Sequence, residues 1–490
     1  MRLSPLLACA ALASAADEID HTQSCVSING IVKCGEEGGT EWIVQFGSTR
    51  NDEVKGLAID ASTERVYVVG HTFGALGGEH RGYGDIWMAG IAHNGQHEWS
   101  TQIGTDREDH IAGLAAGDGH VVGGGHTYGH WGEEGSSGQM DGWRGRWDDM
   151  GRGQWGLHHD DGGEGVLQAG GEKKDSILGI AGDAWLTKHR HFGMGDAWLG
   201  AFRGDDGSHL WTIQVGSEKS DNVTSVAATA SGSAVFACGN TYGEVADGSF
   251  IGKGDVWVLK ADGKTGKIAW TVQIGSDKND DSMSLVSTPS GDAVYVVGHT
   301  FGGYVADGYD HTPQDDGTKP GGRDGFVAKL DGRNGRLMWG RVIGTDRVDF
   351  LNDVAVSPDG EARGGKLAIR RETIYVGGQT YGDFDKPIAG KSDAWIAKLD
   401  AFDGATAWTA QFGELGRDSV QAVMVAPDGD VVAAGHSDSN FGGCSSGLMD
   451  AWVARVNPEH AHSFFSELDH EHAAGHACPH KKENGVTKRE

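Results

Sequence analysis

The pattern Trp-x-x-Gln-x-Gly returns along this chain at a spacing that leaves few folds open to it. It reads WIVQFG at Trp42, WSTQIG at Trp99, WTIQVG at Trp211, WTVQIG at Trp270 and WTAQFG at Trp408. WGRVIG at Trp339 keeps all but the glutamine, and WGLHHD at Trp155 falls where the spacing wants a member. The seven tryptophans are separated by 57, 56, 56, 59, 69 and 69 residues. A period of this length marks one supersecondary unit repeated in tandem.

Three further signals follow in fixed order within each interval. The first is an apolar segment such as GLAID at 56–60 or DVAVS at 353–357. The second is a strand that ends in a Gly-polar-Thr-aromatic-Gly turn. That turn reads GHTFG at 70–74 and 298–302, GHTYG at 125–129, GNTYG at 239–243 and GQTYG at 378–382. The third is a strand opened by aspartate, as in GDIWMAGI, GDVWVLKA, RDGFVAKL, SDAWIAKL and MDAWVARV. Each unit thus offers four short strands, and no stretch has the periodicity of an amphipathic helix. Glycine, at 82 of 490 residues, supplies the many tight turns such a chain needs.

A lone four-stranded sheet cannot bury both faces, whereas radial stacking buries them against neighbours. The expected fold is all-β: a seven-bladed β-propeller of four-stranded antiparallel blades. In this reading residues 41–47 form the outer strand of the last blade and close the ring.

The segments GDxWVAKLD, Trp…Gln-x-Gly-[Ser/Thr]…Asp and VYVVG-x-Thr together resemble the SBBP family of extracellular β-propeller repeats. The resemblance runs over roughly residues 41–456, and it implies a propeller fold without a general catalytic assignment. Residues 143–192 fit the repeat poorly: either the third unit is degenerate or the sequence there is imperfect. A narrower likeness joins ADGKTGKIAWTVQIG at 261–275 to the tryptophan docking repeats of quinoprotein dehydrogenases. It implies a rival reading as a quinoprotein-like oxidoreductase, which bound quinone absorbing visible light would reveal. No adjacent cysteine pair or long capping loops accompany it.

Residues that recur once per unit serve the fold, because an active site needs one constellation. His71, His126, His299 and His436 recur in this way, with Asn240 and Gln379 in their place elsewhere. The aspartates of the G-[Ser/Thr]-x-x-x-Asp loops (Asp52, Asp109, Asp221, Asp280, Asp349) should share one face with those opening the third strands. Hydrogen bonding to backbone is the favoured role for both sets, and calcium binding the alternative. The longest insertion on that face, 303–325, adds Asp307, Asp310, Asp315 and Asp316 as candidate calcium ligands. No nucleophile elbow, HExxH helix or phosphate loop is present, so no catalytic residue is assigned.

Seventy acidic against 41 basic residues give a net charge of −29, which disfavours nucleic acid and anionic membranes as partners. Residues 1–15 have the form of a secretory signal peptide, and no later segment is long and apolar enough to span a bilayer. Residues 16–40 hold Cys25 and Cys34, an expected disulfide in an oxidising compartment; the pairing of Cys444 with Cys478 stays open. Asn222-Val223-Thr224 is a glycosylation sequon usable in a secreted chain. Residues 457–490 form a histidine-rich tail expected to be disordered. The composite expectation is a secreted, acidic, monomeric, non-catalytic binding module for an extracellular protein or glycan, with a quinoprotein-like oxidoreductase or a calcium-stabilised adhesion propeller as the alternatives.

Overall fold

The computed structural model describes residues 24–28, 31–35, 41–129, 141–159, 165–170, 177–184, 195–203, 206–246, 251–302, 322–357, 372–439 and 448–467. They form a β-propeller with six blades of four antiparallel strands each. Blade 1 comprises Asp52–Ile59, Val66–Thr72, Asp85–Ile91 and His97–Ile103. Blade 2 comprises Asp109–Gly117, His120–Thr127, Asp141–Asp148 and Gly153–His159. Blade 3 comprises Gly165–Gly170, Ile177–Ala184, Asp196–Arg203 and His209–Val215, so its poorly fitting sequence still makes the four-stranded backbone. Blade 4 comprises Asp221–Ala228, Ala234–Thr241, Asp255–Asp262 and Ile268–Ile274. Blade 5 comprises Asp280–Ser287, Ala293–Thr300, Asp324–Asp331 and Leu337–Ile343. Blade 6 comprises Asp349–Val356, Thr373–Thr380, Asp393–Asp400 and Thr406–Phe412.

The remaining sheet has six strands, in the order Ser24–Ile28, Ile31–Gly35, Trp42–Phe46, Asp450–Val456, Val431–Ser437, Asp418–Val425. This corrects the expectation of seven four-stranded blades: there are six, and the seventh sheet is of another kind. It also corrects the expected closure, because residues 41–47 do not supply an outer strand. Trp42–Phe46 lies inside its sheet, between Asp450–Val456 and Ile31–Gly35. The physical reason is that an exposed strand edge invites further pairing, and the 24–35 hairpin takes it. In that hairpin Cys25 stands opposite Cys34 in the backbone register.

Neighbouring sheets share apolar clusters, which is where the core sits. Val54, Val66 and Trp87 of blade 1 pack with Val44, Phe46 and Val453 of the six-stranded sheet. Trp211 and Val226 join blades 3 and 4, while Tyr295 and Trp395 join blades 5 and 6. A second seam contact is polar. The indole N–H of four fourth-strand tryptophans donates to a carbonyl in the third-to-fourth-strand turn of the next unit. These bonds run from Trp99 to Asp149 (2.8 Å), Trp211 to Gly263 (2.9 Å), Trp270 to Gly332 (3.3 Å) and Trp339 to Ala401 (3.2 Å). The turn must come close beneath the ring, and glycine permits it. Gly266 has φ of +68° and would place a Cβ 2.7 Å from the Trp211 ring.

Trp408 has no such turn to cover it. A short helix, Ala461–Glu467, fills that place, with Phe465 stacked on Phe412 at 5.0 Å and His462 5.6 Å from Trp408. The first part of 457–490 is therefore ordered against the core, and 468–490 lie outside the described residues. Among the described residues no helix is long and apolar enough to cross a membrane.

Candidate functional site

The recurring polar residues close a hydrogen-bonded hub in blades 1, 3, 4 and 6. The glutamine of Trp-x-x-Gln-x-Gly donates to the aspartate that opens the third strand: Gln102 to Asp85 (2.6 Å), Gln273 to Asp255 (2.9 Å), Gln411 to Asp393 (2.8 Å). The same amide donates to the carbonyl of the turn glycine, Gly74 or Gly243. The glycine that follows the glutamine lies under the carboxylate. A Cβ on Gly104 would sit 2.2 Å from Asp85 Oδ1.

The loop aspartates are accounted for in the same way. The backbone N–H of the Ser or Thr four residues earlier donates to the carboxylate at 2.6 Å in Thr105–Asp109, Ser217–Asp221, Ser276–Asp280 and Thr345–Asp349. Thr127 and Thr380 of the turn motif add hydroxyl bonds of 2.5 Å to Asp109 and Asp349. Burial is the larger influence and pushes Asp52 up to about 6 and Asp418 up to about 7.

His71 and its asparagine counterpart Asn240 tie blade to blade. His71 Nε2 accepts the backbone N–H of Ile111 (3.1 Å), and Asn240 Oδ1 accepts that of Ser282 (2.7 Å). Histidine and asparagine interchange because both offer an acceptor at that point. Burial holds these imidazoles neutral: His71 falls to about 2, helped by nearby His110, and His126 to about 4.

One residue of the turn motif stands outside this bookkeeping. A Cβ on Gly70 would meet Glu53 O at 1.7 Å, Thr72 holds the N–H of Gly74 (3.1 Å), and Gly74 lies on Ser48. The aromatic between them is exposed. Phe73, Tyr128, Tyr242, Phe301 and Tyr381 are between 37% and 51% accessible, although their backbones are fixed. Each donates its N–H to the residue before the loop aspartate, as Phe73 does to Asn51 (3.0 Å) and Tyr242 to Ser220 (3.2 Å). The rings lean on close neighbours: Phe73 on Gly84, Tyr242 on Gly254, Phe301 against the Arg323 guanidinium at 5.3 Å. Exposed Tyr83, Ile251, Leu415 and Leu448 occupy loops on the same face.

Below that face the first strands line an axial cavity of about 320 Å³. A β-bulge interrupts the first strand in five blades and in the six-stranded sheet, and each bulge turns one residue into the lumen. The residues are Lys55, Ala112, Thr224, Met283, Asn352 and Gln421. Sequence reading did not single them out, because the bulge residue changes type from unit to unit and so leaves no recurring letter.

Of the residues singled out in the sequence, Asp307, Asp310, Asp315 and Asp316 lie outside the described residues. Asn222 sits half-buried in the first strand of blade 4, its Oδ1 accepting the Asn240 N–H at 2.9 Å. Cys238 is a buried free thiol. Glu64, His93 and Asp428 bring ligand atoms within 4.8 Å of one another. The buried Arg455 guanidinium already stands among them, 2.7 Å from Asp428 and 3.1 Å from Asp430. That cation makes the cluster an ion-pair network.

No known protein family matches the sequence, and no curated protein matches it. Similar solved structures exist. The Dos1 propeller is 11% identical with a TM-score of 0.45, covering 87% of this chain and 90% of that one. Quinohemoprotein alcohol dehydrogenase ADHIIG from Pseudomonas putida HK5 is 11% identical with a TM-score of 0.40, covering 89% and 75%. A europium-containing methanol dehydrogenase is 11% identical with a TM-score of 0.38, covering 85% and 89%. At this distance the likenesses carry no argument about activity, and the SBBP resemblance rests on the motifs alone.

Proposed function

We propose that the chain is a secreted, monomeric, non-catalytic propeller whose turn face binds an extracellular glycan. The observation that carries this reading is the exposed aromatic of the Gly-x-Thr-x-Gly turn. The glycines and threonine of that turn are held by neighbours inside the molecule, whereas the aromatic keeps 37% to 51% of its surface exposed in five blades, which points to a partner outside it. The rings are separated by polar turns and do not merge into one apolar patch. Discrete, pre-positioned platforms suit stacking on sugar rings better than the continuous core of a protein interface. Calcium enters this reading only through Asp307, Asp310, Asp315 and Asp316.

The test is a glycan and protein array probed with the mature chain, with and without calcium. Glycan ligands should weaken about three- to tenfold with each of Phe73→Ala, Tyr242→Ala and Tyr381→Ala. Selective capture of a protein partner, or glycan binding indifferent to all three variants, would remove the reading.

A further inference from the structure

The loop before the first strand carries a second recurring side chain that the fold does not use. In Gly-[Ser/Thr]-x-x-x-Asp the residue two places before the aspartate is Arg50, Arg107, Lys219, Lys278 or Arg347. These five units are the ones that display a turn aromatic. Only 41 of 490 residues are basic, against 70 acidic, so composition does not explain a cation at one fixed place.

The backbone there is pinned. Its N–H donates to the Ser or Thr hydroxyl two residues earlier, as Arg50 does to Ser48 (3.1 Å) and Arg347 to Thr345 (3.1 Å). Its carbonyl accepts from the loop between second and third strands: Tyr83 donates to Arg107 (3.3 Å) and Lys253 to Lys278 (3.1 Å). The side chains are exposed. Among the described residues, those of Arg50, Arg107, Lys219 and Arg347 make no hydrogen bond or ion pair. Lys278 meets only Asp277, its exposed sequence neighbour, at 3.1 Å, a pairing worth little in water.

The cations stand beside the aromatics. The glycine that follows the ring lies against the stem of the basic side chain. A Cβ on Gly74 would be 3.3 Å from Arg50 Cβ, and one on Gly382 would be 3.1 Å from Arg347 Cβ. Gly243 and Gly302 approach Lys219 Cγ and Lys278 Cγ in the same way, each at 3.1 Å. The last unit shows what such a cation takes. Its turn reads GHSDS at 435–439, with Asp438 in place of the aromatic. Arg417, one place nearer the loop aspartate than its counterparts, pairs with that carboxylate, Nε to Oδ2 at 3.2 Å. Where the turn supplies a carboxylate the cation uses it; where the turn supplies a ring the cation is left for a carboxylate from outside.

We propose that the ligand of the turn face is a polyuronide, its sugar rings on the aromatics and its carboxylates on the neighbouring Arg and Lys, an assignment that rests on the glycan reading above. The net charge of −29 does not forbid a polyanion, because charges farther off than a Debye length of about 8 Å are screened at physiological salt. Asp106, Glu218, Asp277 and Asp346 each precede a cation. They disfavour a densely sulfated chain more than one with a single carboxylate per sugar.

The experiment is calorimetric titration of the full chain with oligogalacturonate and oligoalginate, each as the acid and as its uncharged methyl ester, and with dextran sulfate. At least one acid should bind, with its ester weaker by about tenfold or more and dextran sulfate no tighter. Arg107→Gln and Arg347→Gln should each weaken the acid about two- to fivefold and leave the ester unchanged. Both sites are exposed, and retained melting curves confirm the fold. Lys264→Gln, in a third-to-fourth-strand turn at the opposite end, should change nothing. An ester that binds as tightly as its acid, with both lost in Tyr242→Ala, would overturn this proposal and leave the glycan reading standing. So would capture of neutral glycans alone, or a preference for dextran sulfate. Acid binding indifferent to both arginine variants would overturn it as well, and absence of binding to any glycan would remove both.

Discussion

His71 of blade 1 accepts the backbone N–H of Ile111 in blade 2 across 3.1 Å, so one side chain satisfies the inner edge of the next sheet. Asn240 performs the same task toward Ser282. His71→Asn should therefore leave unfolding by denaturant nearly unchanged. His71→Leu leaves a buried N–H unpaired and should cost about 1–3 kcal/mol in the same measurement.

The same residue sets an acid limit. His71 is held at about 2 in the fold, chiefly by burial, against about 6.5 when unfolded. The unfolded chain takes up the proton first, so the stability contribution is full above about pH 6.5 and is lost as pH falls. Near pH 5 the wild type should fall behind His71→Asn by up to about 2 kcal/mol relative to their difference at neutral pH. Thermal melts across that range measure it.

Asp418 works in the opposite direction. Burial raises it to about 7, although Ser437 and the Glu414 N–H both donate to it. Its contribution is present below about pH 4 and drains away as pH rises through about 7. Asp418→Asn should gain on the wild type as pH is raised from about 5 to 8, read by the same melts.

Gly104 and Gly266 are fixed by different neighbours, a carboxylate and an indole. Gly104→Ala drives a methyl into Asp85, and Gly266→Ala both clashes with Trp211 and forces alanine to positive φ. Each should lower the unfolding free energy by about 1–3 kcal/mol. An alanine at exposed Glu218 serves as the unchanged control.

Cys25 and Cys34 are backbone register partners in the outer hairpin of the six-stranded sheet, and we predict that they are joined in the secreted chain. Intact mass before and after reduction checks the bond. Reduction should cost about 2–3 kcal/mol for a closed loop this short.

The strands, their order within a unit and the structural role of the recurring aspartates were legible in the sequence because each leaves a residue signature. Gln102, Asp85 and Gly104 form one contact that the repeat spells out in letters. The six-stranded sheet was missed although its signal was present. Asn29-Gly30 separates two β-rich runs, the strongest short hairpin mark a sequence carries, but it lies outside the repeat. The helix 461–467 was missed because seven residues are too few to show a period; only its packing on Trp408 and Phe412 defines it. The exposure of Phe73 and its counterparts was equally hidden, since recurrence alone does not distinguish a residue the fold requires from one it displays.

The bulges carry a consequence for redesign. At Lys55, Ala112, Met283 and Gln421 a bulge presents a side chain to the lumen without a hydrogen bond across a seam, whereas Thr224 and Asn352 reach Ser282 and Val420 of the next unit. Four such positions bordering one axial space amount to an interchangeable lining, one that mutagenesis can rewrite combinatorially while the surrounding wheel keeps its shape.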